Sequence, residues 1–207
     1  MRNDILLFDQ PGAAHTERTL TAARDRALEL GIDTVVLATT SGQTALKAAK
    51  TFENTGVRVI GVTLQAGTWK KHAPPDPEKI REAEQNGVHI LTATHTLMGN
   101  VGSAIRDEFG GITPDELIAR TYYTFSQGMK VAVEVATMAA DAGLLEEQDE
   151  LVAVAGTGTG ADTAIVLSKT YSTDFFDLNI SEILAMPRAQ IAVEPALTSE
   201  SRSLRTF

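Results

Sequence analysis

The sequence predicts an α/β fold, a three-layer sandwich in which helices cover both faces of a central sheet. Short apolar runs at 35–38, 59–62 and 152–155 show no alternation with polar residues, as is typical of strands buried on both faces. Helical patterns alternate with these runs along the chain, and that alternation favours the layered arrangement. The 207 residues can form one domain with a sizeable core, which we expect over 1–187, with a polar tail at 188–207.

The first half of the chain divides into elements at clear turn residues. Residues 5–8 are a short apolar strand that Pro11 and Gly12 end, and Thr16 can cap the helix that follows. The apolar face of that helix recurs at spacings of three and four residues from Leu20 onward, and Gly31 ends it. The other elements expected here are strands at 34–38, 57–62 and 88–91, helices at 43–52 and 78–86, and a proline-rich loop at 65–77.

The second half begins with an ambiguous stretch at 98–109, where glycines weaken the helical pattern. Thr113, Pro114 and Glu116 are typical of a capping box with proline in the first turn, so a helix begins there. It extends to about residue 142, with a kink or break at Gly128. Strands are expected at 151–155 and 163–167, followed by an apolar patch at 175–186 around a short helix that covers the core.

The composition excludes several classes of function. The formal net charge is −9, whereas binding to nucleic acid or to anionic membranes relies on basic residues. The chain has no cysteine, which rules out disulfides, thiol nucleophiles and cysteine-based metal sites. No apolar run reaches the roughly 20 residues of a membrane span, and the N-terminal one is too short for a signal peptide. We expect a cytoplasmic protein with neither nucleic acid nor membrane as partner.

Four predicted strands end in short segments rich in hydroxyl, amide and glycine groups. These segments are 39–42, 63–65, 92–95 and 156–163. Ligands of open α/β sheets bind outside the carboxyl ends of the strands, so the four segments predict a ligand site. Their hydrogen-bonding groups suit an anion such as phosphate.

The 39–44 loop is the first half of this predicted site. It joins a strand to a helix, whose first-turn N–H groups lack intrahelical partners and whose dipole attracts an anion. Gly42 permits close approach of a ligand to the backbone, although Ser41 could simply cap the helix. The candidate ligand-binding residues in this loop are Thr39, Thr40, Ser41, Gly42, Gln43 and Thr44.

The 156–162 loop is the second half. Its three glycines alternate with threonines, which suits a backbone cradle for an anion, and Asp162 can orient it. The loop returns into a strand and lacks a Gly-Lys-Ser/Thr end, so it is neither a dinucleotide fingerprint nor a Walker loop. A flexible hairpin connection is the alternative. The candidate residues are Gly156, Thr157, Gly158, Thr159, Gly160 and Asp162.

His95 is the candidate acid–base residue, because it is the histidine placed among the threonines at a strand's carboxyl end. A structural role is the alternative. Lys130 either pairs with Glu134 at i+4 or brings a positive charge to the predicted ligand site at the strand ends. The histidines are scattered and no H-E-x-x-H motif occurs, so we expect neither a metal nor a cofactor.

Three segments, taken in order, match the pattern of one known domain. Residues 35–49, VVLATTSGQTALKAA, correspond to its opening strand, loop and helix, and 58–63 to its next strand. Residues 128–159 correspond to its last helix and the strand that enters its Gly-rich loop. Over about residues 16–168 the chain therefore resembles the C-terminal domain of pyruvate kinase.

The resemblance implies a three-layer αβα domain around a mostly parallel five-stranded sheet with one antiparallel edge strand. In pyruvate kinases this domain is regulatory, binds a phosphorylated sugar effector in many members and helps to form the tetramer. A homo-oligomer that binds a small phosphorylated or anionic ligand is thus expected. By this resemblance one phosphate would be held by Thr39, Ser41, Gly42 and Thr44, and the loop closing over the ligand would contain Gly156, Gly158 and Gly160.

The chain departs from the kinase pattern at these loops. The Gly-rich loop lacks the Trp and Arg that many effector-binding kinases carry, and Thr40 and Gln43 occupy positions that are often basic. One phosphate or another small anion therefore fits better than a bisphosphate. The catalytic barrel of pyruvate kinase needs about 250 residues, and only about 30 precede the first matched strand. We therefore expect no pyruvate kinase activity.

Three functions follow from these patterns. The leading hypothesis is a cytoplasmic, homo-oligomeric protein that binds a small phosphorylated or anionic metabolite at the strand ends. The second is an enzyme acting on a phosphorylated substrate, with His95 as its acid–base group. The third is a structural or regulatory subunit that docks through the apolar patch at 175–186.

Overall fold

The fold is a seven-stranded mixed sheet between two layers of helices. The computed structural model describes residues 4–72, 74–145 and 149–189. The strands are β1 (Leu6–Phe8), β2 (Thr34–Ala38), β3 (Arg58–Val62), β4 (Val88–Leu91), β5 (Glu150–Ala155), β6 (Thr163–Ser168) and β7 (Ile180–Pro187). The helices are α1 (Thr16–Leu30), α2 (Gln43–Thr51), α3 (Trp69–His72), α4 (Pro77–Gln85), α5 (Val101–Phe109), α6 (Pro114–Tyr123) and α7 (Gln127–Asp141). Three short 3-10 segments lie at Ala13–His15, Ala66–Thr68 and Ser172–Asp177.

The strand order is β1-β7-β6-β5-β2-β3-β4. All neighbouring strands run parallel except β6, which is antiparallel to both β5 and β7. The α/β class is as predicted, but the expected five-stranded sheet with an antiparallel edge strand is wrong. The antiparallel strand lies inside the sheet because β7 pairs with its free side and β1 then pairs with β7.

The two layers of helices explain the uninterrupted apolar runs. In β2, Val35 and Leu37 pack into the core beneath α1, α2 and α4, whereas Val36 packs into the core beneath α6 and α7. Successive side chains of a strand point to opposite faces, so a strand covered on both sides needs apolar residues at every position. This arrangement is the three-layer sandwich.

Strand β7 differs most from the predicted elements, since a short helix was expected within 175–186. Only the 3-10 segment Ser172–Asp177 is helical there, and an eight-residue strand follows it. Two irregularities in the pairing with β6 displace Ser181 and Leu184 from the register. Each extra residue interrupts the alternation of polar and apolar side chains, which is the signal that predicts a strand.

The predicted helix from Pro114 onward is two helices. The chain breaks between α6 and α7, and Ser126 caps α7 by accepting a hydrogen bond from the Met129 N–H at 2.9 Å. Gly128 is not a kink: a Cβ there would lie 2.2 Å from the Thr163 hydroxyl oxygen. Its lack of a side chain lets α7 pack directly against β6.

The capping box predicted at the start of α6 is half correct. Thr113 is the N-cap residue and Pro114 the first helical residue, but the Thr113 side chain makes no cap hydrogen bond. The Glu116 carboxylate is buried and binds Arg106 at 3.1 Å and Arg120 at 2.8 Å. Both arginines bind Oε1, and the buried Oε2 has no hydrogen-bond partner among the described residues, so the carboxylate does not bond back to the helix start.

Candidate functional site

The 39–44 and 156–162 loops lie side by side at one edge of the sheet. They follow β2 and β5, which are adjacent and parallel with Leu37 opposite Val154. The structure therefore brings together the two halves of the predicted site. The residues of the two loops that are exposed to solvent are Thr40, Ser41, Gln43, Gly158 and Thr159.

The start of α2 forms the floor of the 39–44 loop. The Ala45 N–H donates to the Thr39 hydroxyl at 3.3 Å, and the Gln43 N–H donates to the Ser41 hydroxyl at 3.4 Å. Both distances exceed the usual 2.7–3.2 Å of an N–H···O bond, so these side chains satisfy the first turn of α2 only weakly. An anion at this position could accept stronger hydrogen bonds from the same groups.

Helix α4 closes over this loop, which the sequence did not indicate. Gly42 has a φ of +94°, and a Cβ on it would lie 2.9 Å from the Cβ of Lys79. The Asp76 N–H donates to the Ser41 carbonyl at 3.2 Å. The Lys79 side chain thus begins beside the start of α2, and its ammonium group contacts the Asp76 carboxylate at 2.5 Å and lowers the pKa of that carboxyl.

A buried carboxylate organises the 156–162 loop. Asp162 is fully buried and accepts hydrogen bonds from the Gly12 N–H at 2.9 Å and the Thr157 N–H at 3.1 Å. Its other oxygen accepts from the Thr163 hydroxyl at 2.9 Å. Asp162 therefore shapes the loop from inside, as the sequence suggested, and is not exposed to a ligand in this conformation.

The start of α1 also holds the 156–162 loop. The Ala161 N–H donates to the Thr16 hydroxyl at 3.0 Å, and a Cβ on Gly160 would lie 2.5 Å from the Cα of Ala13. Thr16 was expected to cap α1, but His15 is the N-cap residue and the Thr16 hydroxyl bonds to the loop and to the Ala13 carbonyl. Nothing local in the sequence indicates this contact, which joins segments about 145 residues apart.

The loops after β3 and β4 are tied to each other. The hydroxyl groups of Thr63 and Thr92 are 2.6 Å apart. The Gln65 N–H donates to Nε2 of His95 at 3.2 Å, and Nδ1 of His95 lies 3.0 Å from the Met98 carbonyl. These partners require a neutral ring that is protonated at Nδ1.

The environment of His95 favours the structural alternative. Burial is the main cause that lowers the pKa of His95, which keeps the ring neutral. Both ring nitrogens are engaged with backbone groups, so neither is available to transfer a proton to or from a substrate in this arrangement.

Lys130 and Glu134 form a buried ion pair, with 2.5 Å between Nζ and Oε2. The other oxygen of Glu134 accepts from the N–H groups of Leu97 and Met98, both at 3.1 Å. The lysine therefore pairs within α7, and its partner anchors the loop after β4. Burial raises the pKa of the nearby Tyr123 to about 12, and Glu134 adds to the effect.

Other features of the described chain lie away from these loops. One groove runs between α1 and β7 beside Arg26 and Glu182, and another lies at the opposite edge of the sheet beside Asp33 and Asp149. Within residues 4–72, 74–145 and 149–189, no three His, Asp or Glu residues are gathered as a metal ion would require. None of the helices in those ranges is long and apolar enough to cross a bilayer.

Comparison with known proteins agrees with this architecture. The family model described as "Pyruvate kinase, alpha/beta domain" matches residues 17–167. The chain belongs to this family. The match to the pyruvate kinase α/β domain begins in α1 and ends in β6, so it contains five of the seven strands. Strands β1 and β7 lie outside the matched residues, which is why the strand number expected from the family is too low.

A solved structure similar to the chain is Cryptosporidium parvum pyruvate kinase in complex with ADP. The sequence identity is 15%, and the TM-score is 0.38. The alignment covers 84% of this chain and 24% of that one. The chain therefore spans about a quarter of the length of that pyruvate kinase.

Proposed function

We propose that the protein binds phosphate or a small phosphorylated or anionic metabolite in the cytoplasm, without pyruvate kinase activity. The single observation that carries the proposal is the position of the 39–44 and 156–162 loops at the carboxyl ends of two adjacent parallel strands. This edge of an α/β sheet is where ligands commonly bind.

The chemistry of the two loops supports an anion. Helix α2 points its N-terminus at the 39–44 loop, and its first N–H groups are held by hydrogen bonds of 3.3 and 3.4 Å only. The Lys79 side chain begins beside this loop, with its ammonium group paired with the Asp76 carboxylate. The exposed Gly158 and Thr159 offer backbone and hydroxyl groups from the opposite side.

One further point supports a binding protein over the enzymatic alternative. His95, the acid–base group of the enzymatic alternative, has both ring nitrogens bonded to backbone groups. The geometry therefore does not favour that alternative.

The sharpest test places a carboxylate where the anion would bind. Ser41 is exposed at the start of α2, so Ser41→Glu should leave the fold intact because a helix N-terminus tolerates an acidic residue well. Ser41→Gln is the matched control, since it adds a side chain of the same size at the same exposed position without the charge. Binding of inorganic phosphate, a sugar monophosphate, a sugar bisphosphate and a nucleoside monophosphate is measured by calorimetry and thermal shift.

We expect Ser41→Glu to weaken anion binding by about tenfold or more, which corresponds to about 1.4 kcal/mol of repulsion. Ser41→Gln should bind nearly as the unaltered protein does. The proposal fails if no anion stabilises the unaltered protein, or if both variants bind it equally well.

The second part of the proposal is that the protein is a homo-oligomer. Exposed apolar side chains on α5 and α6 support this part, because monomeric proteins rarely expose large contiguous apolar patches. The apolar segment at 175–186, which was expected to dock a partner as a subunit, instead supplies β7 to the protein's own sheet.

A further inference from the structure

Helix α5 exposes its apolar side chains and turns its basic one toward α6. Val101, Ile105 and Phe109 recur every four residues, so they line one face of the helix, and they are 75%, 49% and 79% exposed. Arg106 instead points inward and contacts the buried Glu116 carboxylate at 3.1 Å. An amphipathic helix of a monomer normally has the opposite arrangement, with its apolar face on the core.

Two more apolar side chains are exposed in the residues that follow α5. Ile112 follows α5 and is 55% exposed, and Leu117 on the neighbouring α6 is 57% exposed. Together these five side chains leave about 500 Å² of apolar surface on each chain, so two copies would bury about 1,000 Å² between them. That area is the lower limit for a specific interface between two proteins.

We propose that this face of α5 is a twofold interface with a second copy of the chain, in which the two α5 helices cross antiparallel at Ile105. The inference rests on the homo-oligomer part of the proposed function and specifies its surface. A twofold axis brings the same patch of each copy together, so the patch must be complementary to itself.

The sequence of α5 meets this requirement. The apolar residues are symmetric about Ile105, so antiparallel pairing sets Val101 of one protomer against Phe109 of its partner. The same pairing sets Glu108 against Gly102 of the partner. The acidic side chains of the two copies therefore lie toward opposite ends of the contact and do not face each other.

The experiment measures the mass of the full chain in solution by light scattering and sedimentation over a range of concentrations. Ile105→Glu places two carboxylates against each other at the axis, and we expect it to convert the dimer to monomer with at least about a hundredfold weaker association. Leu28→Glu is the matched control, because Leu28 on α1 is also 49% exposed. This variant should remain dimeric.

Disulfide trapping gives a second readout that does not depend on weakening the contact. The chain has no cysteine, so Ile105→Cys introduces a single thiol, which the twofold axis places opposite its own copy. Mild oxidation should yield a covalent dimer of Ile105→Cys and none of Leu28→Cys.

The possible outcomes separate this inference from the broader proposals. A monomer at all concentrations overturns both the interface and the homo-oligomer. A dimer that survives Ile105→Glu, or that fails to cross-link through Ile105→Cys, overturns the α5 interface alone. Binding of phosphate by the Ile105→Glu monomer would show that the anion site is independent of the dimer.

Discussion

Replacement of Asp162 tests most directly how the 156–162 loop is held. Asp162→Ala removes the acceptor of two backbone N–H groups, those of Gly12 and Thr157. Both groups would then be left without their partner near a fully buried position. The Thr163 hydroxyl, the third donor, can turn to the Ser126 hydroxyl, which lies 3.2 Å away.

The size of the effect follows from these contacts. A buried donor that loses its partner costs about 1–3 kcal/mol, so two such donors lower the free energy of unfolding by about 4 kcal/mol. For a chain of this length, that loss corresponds to about 8–16 °C in Tm. Asp162→Asn keeps one oxygen toward the two N–H groups and directs its NH2 at the Thr163 hydroxyl oxygen. It should lower the free energy of unfolding by only about 1–2 kcal/mol, because the hydrogen bonds remain and only their strengthening by the negative charge is lost.

Urea unfolding of the three proteins at neutral pH provides the measurement, and phosphate titration of each adds the functional readout. We expect phosphate affinity to follow the loss of loop order, with the alanine variant weaker than the asparagine variant. A loss below about 1 kcal/mol for Asp162→Ala, or equal losses for both variants, would refute the assignment of this carboxylate to loop ordering.

Three other replacements probe the packing around the site. Gly128→Ala would put a Cβ 2.2 Å from the Thr163 hydroxyl oxygen, so urea unfolding should show a loss of about 1–3 kcal/mol or more. Burial lowers the pKa of His95 below its usual 6.5. Near pH 6.5 the unfolded chain therefore binds a proton at this residue that the folded chain does not, and the free energy of unfolding falls as the pH drops through 6.5. His95→Gln should reduce the fall between about pH 7.5 and about pH 5.5 in urea titrations. Lys130→Met leaves Glu134 buried without its cation, which should cost about 3–5 kcal/mol, and the Lys130→Met/Glu134→Gln double variant should unfold at higher urea than Lys130→Met alone.

Controls keep these outcomes interpretable. Gly67→Ala introduces a Cβ with nothing within 4 Å and should change stability by no more than about 0.5 kcal/mol. Equal losses at Gly67 and Gly128 would contradict the packing argument. An unchanged pH profile in His95→Gln would contradict the shift at His95, and strict additivity of the Lys130 and Glu134 losses would contradict a coupled pair.

The elements that could be predicted are those whose signals are local. The strand ends, the break at Gly31 and the start of α6 at Pro114 each depend on a few neighbouring residues, and the structure agrees with them. The 39–44 and 156–162 loops could be placed at one edge because parallel strands share a carboxyl edge. The pairing of Lys130 with Glu134 follows from helical spacing alone.

The elements that could not be predicted depend on contacts between distant segments. Lys79 reaches the start of α2, and Thr16 reaches the 156–162 loop, through packing that no neighbouring residue encodes. Strand β7 carries two extra residues that hide its alternation. The exposed face of α5 could not be predicted because the glycines in and around 98–109 weaken the helical pattern on which such a face depends.

The position of β6 inside the sheet has a consequence for how the chain can be synthesised and shortened. In the described part of the chain its outer side pairs with β7, which in turn pairs with β1, so β1 can join the sheet only after β7 has been made. A nascent chain released or cut after Ser168 would present β6, five of whose six residues are apolar or buried in the native sheet, as an open edge. Such chains should associate edge to edge, whereas the intact chain covers the same edge with β7.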